Sequence, residues 1–290
     1  MTQSEIVSAI RLLDDPDKQI YDIVKEKLSA VGTDLIAPAY EALSSETITP
    51  LMRSRLENLV SGVESSSLIE AFKTFDADRD GLLEGYALVT KFKYFFDTKK
   101  ELETIFNDFN ISYSLEDLEN FSETEQAKII NNFIYYCKSW RVTLVDTYFD
   151  PDLCFLKDIM KVQRANPVAL GLVYMLIARK FNLNIFGVNL PKIFVLAFCK
   201  KGTKDILFYI NPSNLGAIFG QREVESFLSR NNIPSKKEYF MPCSDQTVLL
   251  RLLTHLEYSY KTKKMFTKAN SVSMLIKTFS NQLDKDTNWI

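Results

Sequence analysis

Apolar residues recur every three to four positions through most of the first 140 residues, and only later gather into short continuous runs. That first period is helical, and the shorter runs later in the chain read as strands. Ile6, Ile10 and Leu13 share one face before Asp14-Asp15-Pro16-Asp17 breaks the run. A second helix follows, with Ile20, Ile23, Val24, Leu28 and Val31 expected on its inner face and Gly32 just past its end as a cap. Third and fourth helices are expected over Leu35–Leu43 and from Pro50 to about Val60. Further helical segments are Leu68–Phe75, Leu82–Phe96, Lys99–Phe109 and Ser122–Trp140. The last opens on a capping box, Ser122-Glu123-Thr124-Glu125, ahead of Ala127, Ile130, Phe133 and Ile134. The aromatic stripe Phe92, Tyr94, Phe95 and Phe96 reads as helix packing.

The texture changes after Asp150-Pro151. Asn166-Pro167 is a helix start, because asparagine accepts from first-turn N–H groups and proline needs no donor there. That helix runs through Leu170, Val173, Tyr174 and Ile177 to about Phe181. Strands are expected over Ile185–Val188, Ile193–Phe198 and Ile206–Ile210, with Gly202 marking a hairpin between the second and third. A short helix near Glu223–Leu228 and two long ones, Thr247–Tyr260 and Val272–Leu283, close the pattern. The fold class is α+β, predominantly α, with a small antiparallel sheet. The first four helices, with their D-D-P-D turn, are similar to a HEAT-type repeat. Three parts result: a HEAT-like helical segment (1–62), a helical lead-in with an α+β core (63–245), and a C-terminal helical hairpin (246–290).

Composition narrows the chemistry. With 290 residues, 46% hydrophobic and 25% charged, the chain can bury a sizeable core. No run of eighteen apolar residues appears, so no membrane partner is expected, and Met1–Asp15 carries no signal-peptide pattern. Four scattered cysteines without a C-x-x-C pair fit a reducing cytoplasm. A single histidine, His255, excludes multi-histidine metal sites, and no cofactor is expected. Residues 1–150 carry a net charge of −12 and residues 151–290 one of +10, yet no basic run with interleaved aromatics points to nucleic acid. Asp76-Ala77-Asp78-Arg79-Asp80-Gly81 begins like a calcium loop, but position twelve is Ala87 where a bidentate carboxylate is required. It reads as a capping turn.

From Gln163 onward the chain resembles the bacterial transglutaminase-like family typified by SirB. Arg164-Ala165-Asn166-Pro167-Val168-Ala169-Leu170 is similar to the family's R-G-N-P-V-S-L, and Gly187-Val188-Asn189-Leu190-Pro191-Lys192-Ile193-Phe194 to its G-V-x-x-P-G-H-F. Tyr209-Ile210-Asn211-Pro212 resembles its strand-ending D-P, Leu82-Leu83-Glu84-Gly85 its L-E-x-G, and Leu250-Arg251-Leu252-Leu253-Thr254-His255-Leu256 its L-R-x-L-x-N-L. The likeness covers roughly residues 65 to 285. It implies a sheet of the transglutaminase-like or cysteine-proteinase type, and family-motif residues Arg164, Asn166, Pro167, Gly187, Pro191, Phe194 and Pro212.

The departures matter more. Active relatives use a cysteine at a helix N-terminus, a histidine base and an orienting aspartate. On this resemblance those positions are Pro167, Ile193 and Asn211, none of which can do that chemistry, while Ala165 and Lys192 replace glycines. Cys154, in an apolar stretch, reads as a small buried hydrophobe and His255 as a packing residue rather than a relocated pair. The expectation is a non-catalytic interaction or regulatory protein with a protein partner, a pseudoenzyme of this superfamily. The alternatives are a hydrolase or acyltransferase with a relocated cysteine, and a small-molecule or peptide binder that reuses the old cleft.

Overall fold

The computed structural model describes residues 1–94, 120–143 and 149–280, together with Lys100, Glu103 and Leu118. The chain divides into two units, Met1–Thr74 and Phe75–Ile290. All of the expected helix Lys99–Phe109 but Lys100 and Glu103, the aromatics Phe95 and Phe96, and the end of the last helix at Leu283 lie outside the described residues.

The first unit is helical: α1 (Gln3–Arg11), α2 (Lys18–Val31), α3 (Ile36–Leu43) and α4 (Pro50–Thr74). A capping box of Thr2 and Glu5 opens α1, and Asp17 caps α2 by accepting from Gln19 N–H. Arg55 ties the D-D-P-D turn down, donating to the carbonyls of Leu13 (2.9 Å) and Asp15 (2.7 Å). Its guanidinium also lies over the Tyr21 ring. Ile6, Ile10, Leu13, Val24, Leu28, Leu35 and Leu56 are buried. Two expectations change here. Helix α4 continues through Ser61-Gly62 to Thr74, so the two expected helices are one, because burial of Leu59, Val60, Val63 and Leu68 outweighs the weak local propensity. Ile20 and Ile23 stay exposed, since α2 turns only Val24 and Leu28 fully inward.

The second unit places a four-stranded antiparallel sheet beside a buried helix. A short turn, α5 (Ala77–Asp80), precedes α6 (Leu82–Lys91); α7 (Glu123–Asn131) runs into a π-helical turn, Asn132–Cys137. The capping box at Ser122 and Glu125 forms as its sequence pattern indicates. Then come β1 (Arg141–Val142), α8 (Leu156–Val162) and β2 (Arg164–Ala165), with β1 and β2 pairing in parallel. Helix α9 (Pro167–Lys180) leads to β3 (Ile185–Val188), β4 (Val195–Cys199), β5 (Ile206–Asn211) and β6 (Ala217–Phe219), paired in that order. Helix α10 (Gln221–Arg230) follows, and α11 (Asp245–Thr262) packs antiparallel to α12 (Phe266–Ser280). The fold class agrees with the sequence reading.

Helix α9 is apolar on nearly every side and accordingly buried on nearly every side. It lies on one face of the sheet, where Gly171 meets Phe194 and Leu196. The opposite face of the sheet, Val195, Ala197 and Tyr209, packs on Val224 and Leu228 of α10. The two motif residues just ahead of β4 are divided in the same way: Phe194 faces α9, and Ile193 joins the cluster with α10. The hairpin between β4 and β5 turns at Gly202, with φ +77°. No helix among the described residues is long and apolar enough to cross a membrane.

Candidate functional site

The N-terminus of α9 borders a cavity of about 600 Å³. Pro167 and Val168 form one wall, and Asn189, Pro191, Lys192 and Phe194 of the β3–β4 connection form another. The segment Glu238–Cys243 and one face of α11 close it. From α11 come Thr247, Arg251, Thr254, His255 and Tyr258. That spacing is a single, mostly polar stripe of the helix, and is the sequence signal that could have located this wall.

Asn166 fixes the helix start. It is fully buried, its Oδ1 accepts from Ala169 N–H at 2.9 Å, and its Nδ2 donates to Leu153 O (3.2 Å) and Cys154 Sγ (3.0 Å). Arg251 fixes the facing connection. Its guanidinium donates to Asn189 Oδ1, to Leu190 O (2.7 Å) and to Ile193 O (2.7 Å), and lies over the Phe194 ring. Lys192, at φ +67°, takes the left-handed conformation that glycine adopts most readily. The Phe194 ring sits between two glycines: an added Cβ would come within 2.5 Å of it at Gly171 and 2.9 Å at Gly187. Gly187 O also accepts from Cys243 N–H at 2.8 Å, joining the sheet to the Glu238–Cys243 wall.

The three positions that would carry acyl-transfer chemistry are thus distributed as follows. Pro167 is the first residue of α9 and lines the cavity. Ile193 sends its side chain to the far side of the sheet and lends its carbonyl to Arg251. Asn211 ends β5 and caps the following turn, with Oδ1 accepting from Ser213 N–H. Of the other motif residues, Pro191 and Phe194 line the cavity, and Pro212 O accepts from Tyr135 OH. Arg164 is exposed on β2.

Cys154, Cys199 and Cys243 are poorly suited to nucleophilic work. Burial pushes the Cys154 thiol far above its usual range, against the opposing hydrogen bond from Asn166. Burial likewise pushes Cys243, at the cavity wall, up to about 12, and Cys199 up to about 11. A thiol is reactive only as thiolate, so each is protonated at neutral pH. His255 stacks on Phe149 with ring centroids 5.7 Å apart. It lies ten residues along α11 from Asp245, about 15 Å at 1.5 Å per residue, and lines the same cavity as Cys243, which precedes that helix.

The acidic turn is local structure. Asp76 accepts from Asp78 N–H and Arg79 N–H, and Asp80 pairs with Arg79 at 2.7 Å, which holds its carboxyl down at about 2. Ala87, at the twelfth position, is fully buried. No group of three metal-ligating side chains occurs among the described residues. Added Ca²⁺ is therefore expected to leave the melting temperature unchanged. A rise at sub-millimolar Ca²⁺ that disappears in Asp76→Ala would contradict this reading.

A family model for the transglutaminase-like superfamily matches residues 97–254. A "UPF0162 protein" of Vibrio cholerae is 25% identical over 137 residues, covering 46% of this chain and 50% of that protein. A "UPF0162 protein" of Xylella fastidiosa is 22% identical over 144 residues, covering 47% and 50%. The chain thus spans about half the length of the curated relatives it matches. No solved structure matches.

Proposed function

The chain belongs to the transglutaminase-like superfamily, and from that premise we propose that it is a degenerate, SirB-type member, a cytoplasmic protein whose cleft binds a protein partner without acting on it. The observation that carries this reading is Pro167 at the first position of α9, on the wall of the cavity. A proline there pre-sets the helix but supplies neither a nucleophile nor an N–H. Around it the cavity presents Phe194, Tyr239, Met241 and Pro242 as apolar surface, with Thr247, Thr254 and Tyr258 as adaptable hydroxyls. Such a lining suits an apolar side chain of a peptide held by a few polar contacts. Arg251, committed to the Asn189–Ile193 backbone and side chain, shapes the cavity.

Cysteine-based acyl transfer needs a thiolate, a base within hydrogen-bonding reach and oxyanion donors, and the nucleophile, the base and the group that orients it act as a unit. The purified chain is therefore expected to show no turnover above background with a glutamine peptide and an amine, or with a panel of ester and peptide substrates. Turnover that disappears in Cys243→Ala, Cys154→Ala or His255→Ala would overturn the reading.

A further inference from the structure

Arg164 is a motif residue that neither the cavity nor the core uses. In the parallel pairing of β1 and β2 it stands directly opposite Arg141, while Val142 stands opposite Ala165, which is fully buried. Side chains alternate along a strand, so the two arginines leave the ladder together on its outer side, from strands about 4.8 Å apart. Gln163 O ties them at the base, accepting from Arg141 N–H at 3.2 Å and from Arg164 Nη1 at 3.0 Å. Arg141 Nη1 donates to Trp140 O at 2.8 Å. Among the described residues neither guanidinium meets a carboxylate. The described aspartates of the segment that joins the two strands are taken by lysines from elsewhere. Lys93 holds Asp152 and Asp158, each at 2.7 Å, and Lys263 holds Asp150 at 3.6 Å.

We propose that Arg141 and Arg164 form a binding site for a phosphomonoester borne on an aromatic group. Two like charges side by side repel each other, and an anion between them turns that repulsion into attraction. The pair calls for a dianion. A carboxylate brings one charge to two cations, whereas a phosphomonoester brings about 1.5 to 2 and three acceptor oxygens. A guanidinium has five N–H donors in a planar fork, and each of these spends one on a backbone carbonyl, which leaves both able to hold phosphate oxygens. Tyr136 indicates what bears the phosphate. It is 63% exposed on the π-helical turn, and the Arg141 guanidinium lies 5.7 Å from its ring centre. A phosphate held by Arg141 therefore stands beside an open aromatic face, on which a second ring can rest. Neither arginine lines the cavity, so this site is independent of what binds there.

Titration of phenyl phosphate into the full chain at low ionic strength, followed by phosphorus NMR, tests this. The expected result is saturable binding that weakens as salt rises. Arg141→Gln and Arg164→Gln keep a donor and most of the length but not the charge, and each is expected to weaken binding at least tenfold. Arg164→Lys keeps the charge and loses the fork, so it weakens binding several-fold. Glycerol phosphate, without a ring, binds several-fold more weakly than phenyl phosphate, and Tyr136→Ala erases that difference. Benzoate, with the ring but a single charge, binds at least tenfold more weakly. A phosphotyrosine peptide that binds more tightly than phenyl phosphate marks a protein as the source of the group, and one that binds more weakly marks a small molecule; either result upholds the site. Circular dichroism checks each variant, and because Arg164 is exposed, Arg164→Gln decides the matter even if Arg141→Gln fails to fold. Absence of binding at about 10 mM phenyl phosphate would overturn the proposal. So would binding that a folded Arg164→Gln leaves unchanged, or equal binding of phenyl phosphate and either glycerol phosphate or benzoate.

Discussion

Gly171→Ala is expected to destabilise the second unit by about 1–3 kcal/mol, although alanine is the better helix former. In an open helix the exchange would gain about 1 kcal/mol. Here the new methyl would stand 2.5 Å from Cε1 and 2.8 Å from Cδ1 of Phe194. A ring can retreat where there is space behind it, and the space this ring borders is the cavity it lines. Its far edge is already against Gly187, and the Arg251 guanidinium lies over its face. The ring must leave its rotamer or push β4 off α9, and either change also deforms the cavity wall. Urea unfolding followed by Trp140 fluorescence, in a Trp289→Phe background, measures the loss. Phe194→Leu alone is costly because it empties space, yet it should remove most of the Gly171→Ala penalty when the two are combined. A penalty that stays undiminished in the Phe194→Leu background would show that the ring is not the obstacle.

This arrangement shows which parts of the site could be read in the sequence. Gly187 and Phe194 stand out as motif positions, and the structure gives their physical reason: one glycine allows the ring to seat, and the ring closes the cavity. Asn166-Pro167 was legible for a local reason, since both residues act within one turn of helix. Ile193 and Phe194 were not separable, because Ile193–Phe198 is a continuous apolar run, and a strand buried on both faces does not reveal which parity meets the helix. Arg251 was visible only as part of a helical motif. Its role depends on the Asn189–Ile193 connection, some sixty residues earlier, and contacts that distant leave no periodicity. Strand β6 is three residues long and half-buried, too short to alternate detectably. The π-helical turn at Asn132–Cys137 arises from tertiary hydrogen bonds as much as from local preference. Tyr135 OH donates to Pro212 O at 3.1 Å, and Asn131 Nδ2 to Gly216 O at 2.8 Å.

The largest effect is expected from the smallest change at the helix start, Asn166→Asp. The two side chains have the same shape, and aspartate is an equally good cap in solvent. Oδ1 would still accept from Ala169 N–H. The second oxygen would replace Nδ2, which now donates to Leu153 O and Cys154 Sγ. A carboxylate oxygen there faces a carbonyl oxygen and a sulfur at about hydrogen-bonding distance, in a site with no exposed surface. A buried charge without its partners costs about 3–5 kcal/mol. Asn166→Ala is milder, about 1–2 kcal/mol, because it loses the cap while Leu153 O keeps the Asn166 backbone N–H at 3.1 Å. The aspartate variant must also become pH-dependent. Burial raises its carboxyl pKa in the folded state above the unfolded value near 3.9. The protonated carboxyl can donate to Leu153 O as the amide does, so the folded variant takes up a proton that the unfolded chain holds less tightly. Relative to the parent, its stability is therefore highest below the unfolded pKa. It is lost progressively as pH rises through the folded pKa and is constant above that. Urea unfolding of parent and variant at pH 5 and pH 8 should show the wider gap at pH 8. An equal gap at both values would mean that Asn166 holds its place through shape alone, and that its donation to Leu153 and Cys154 contributes little to the start of α9.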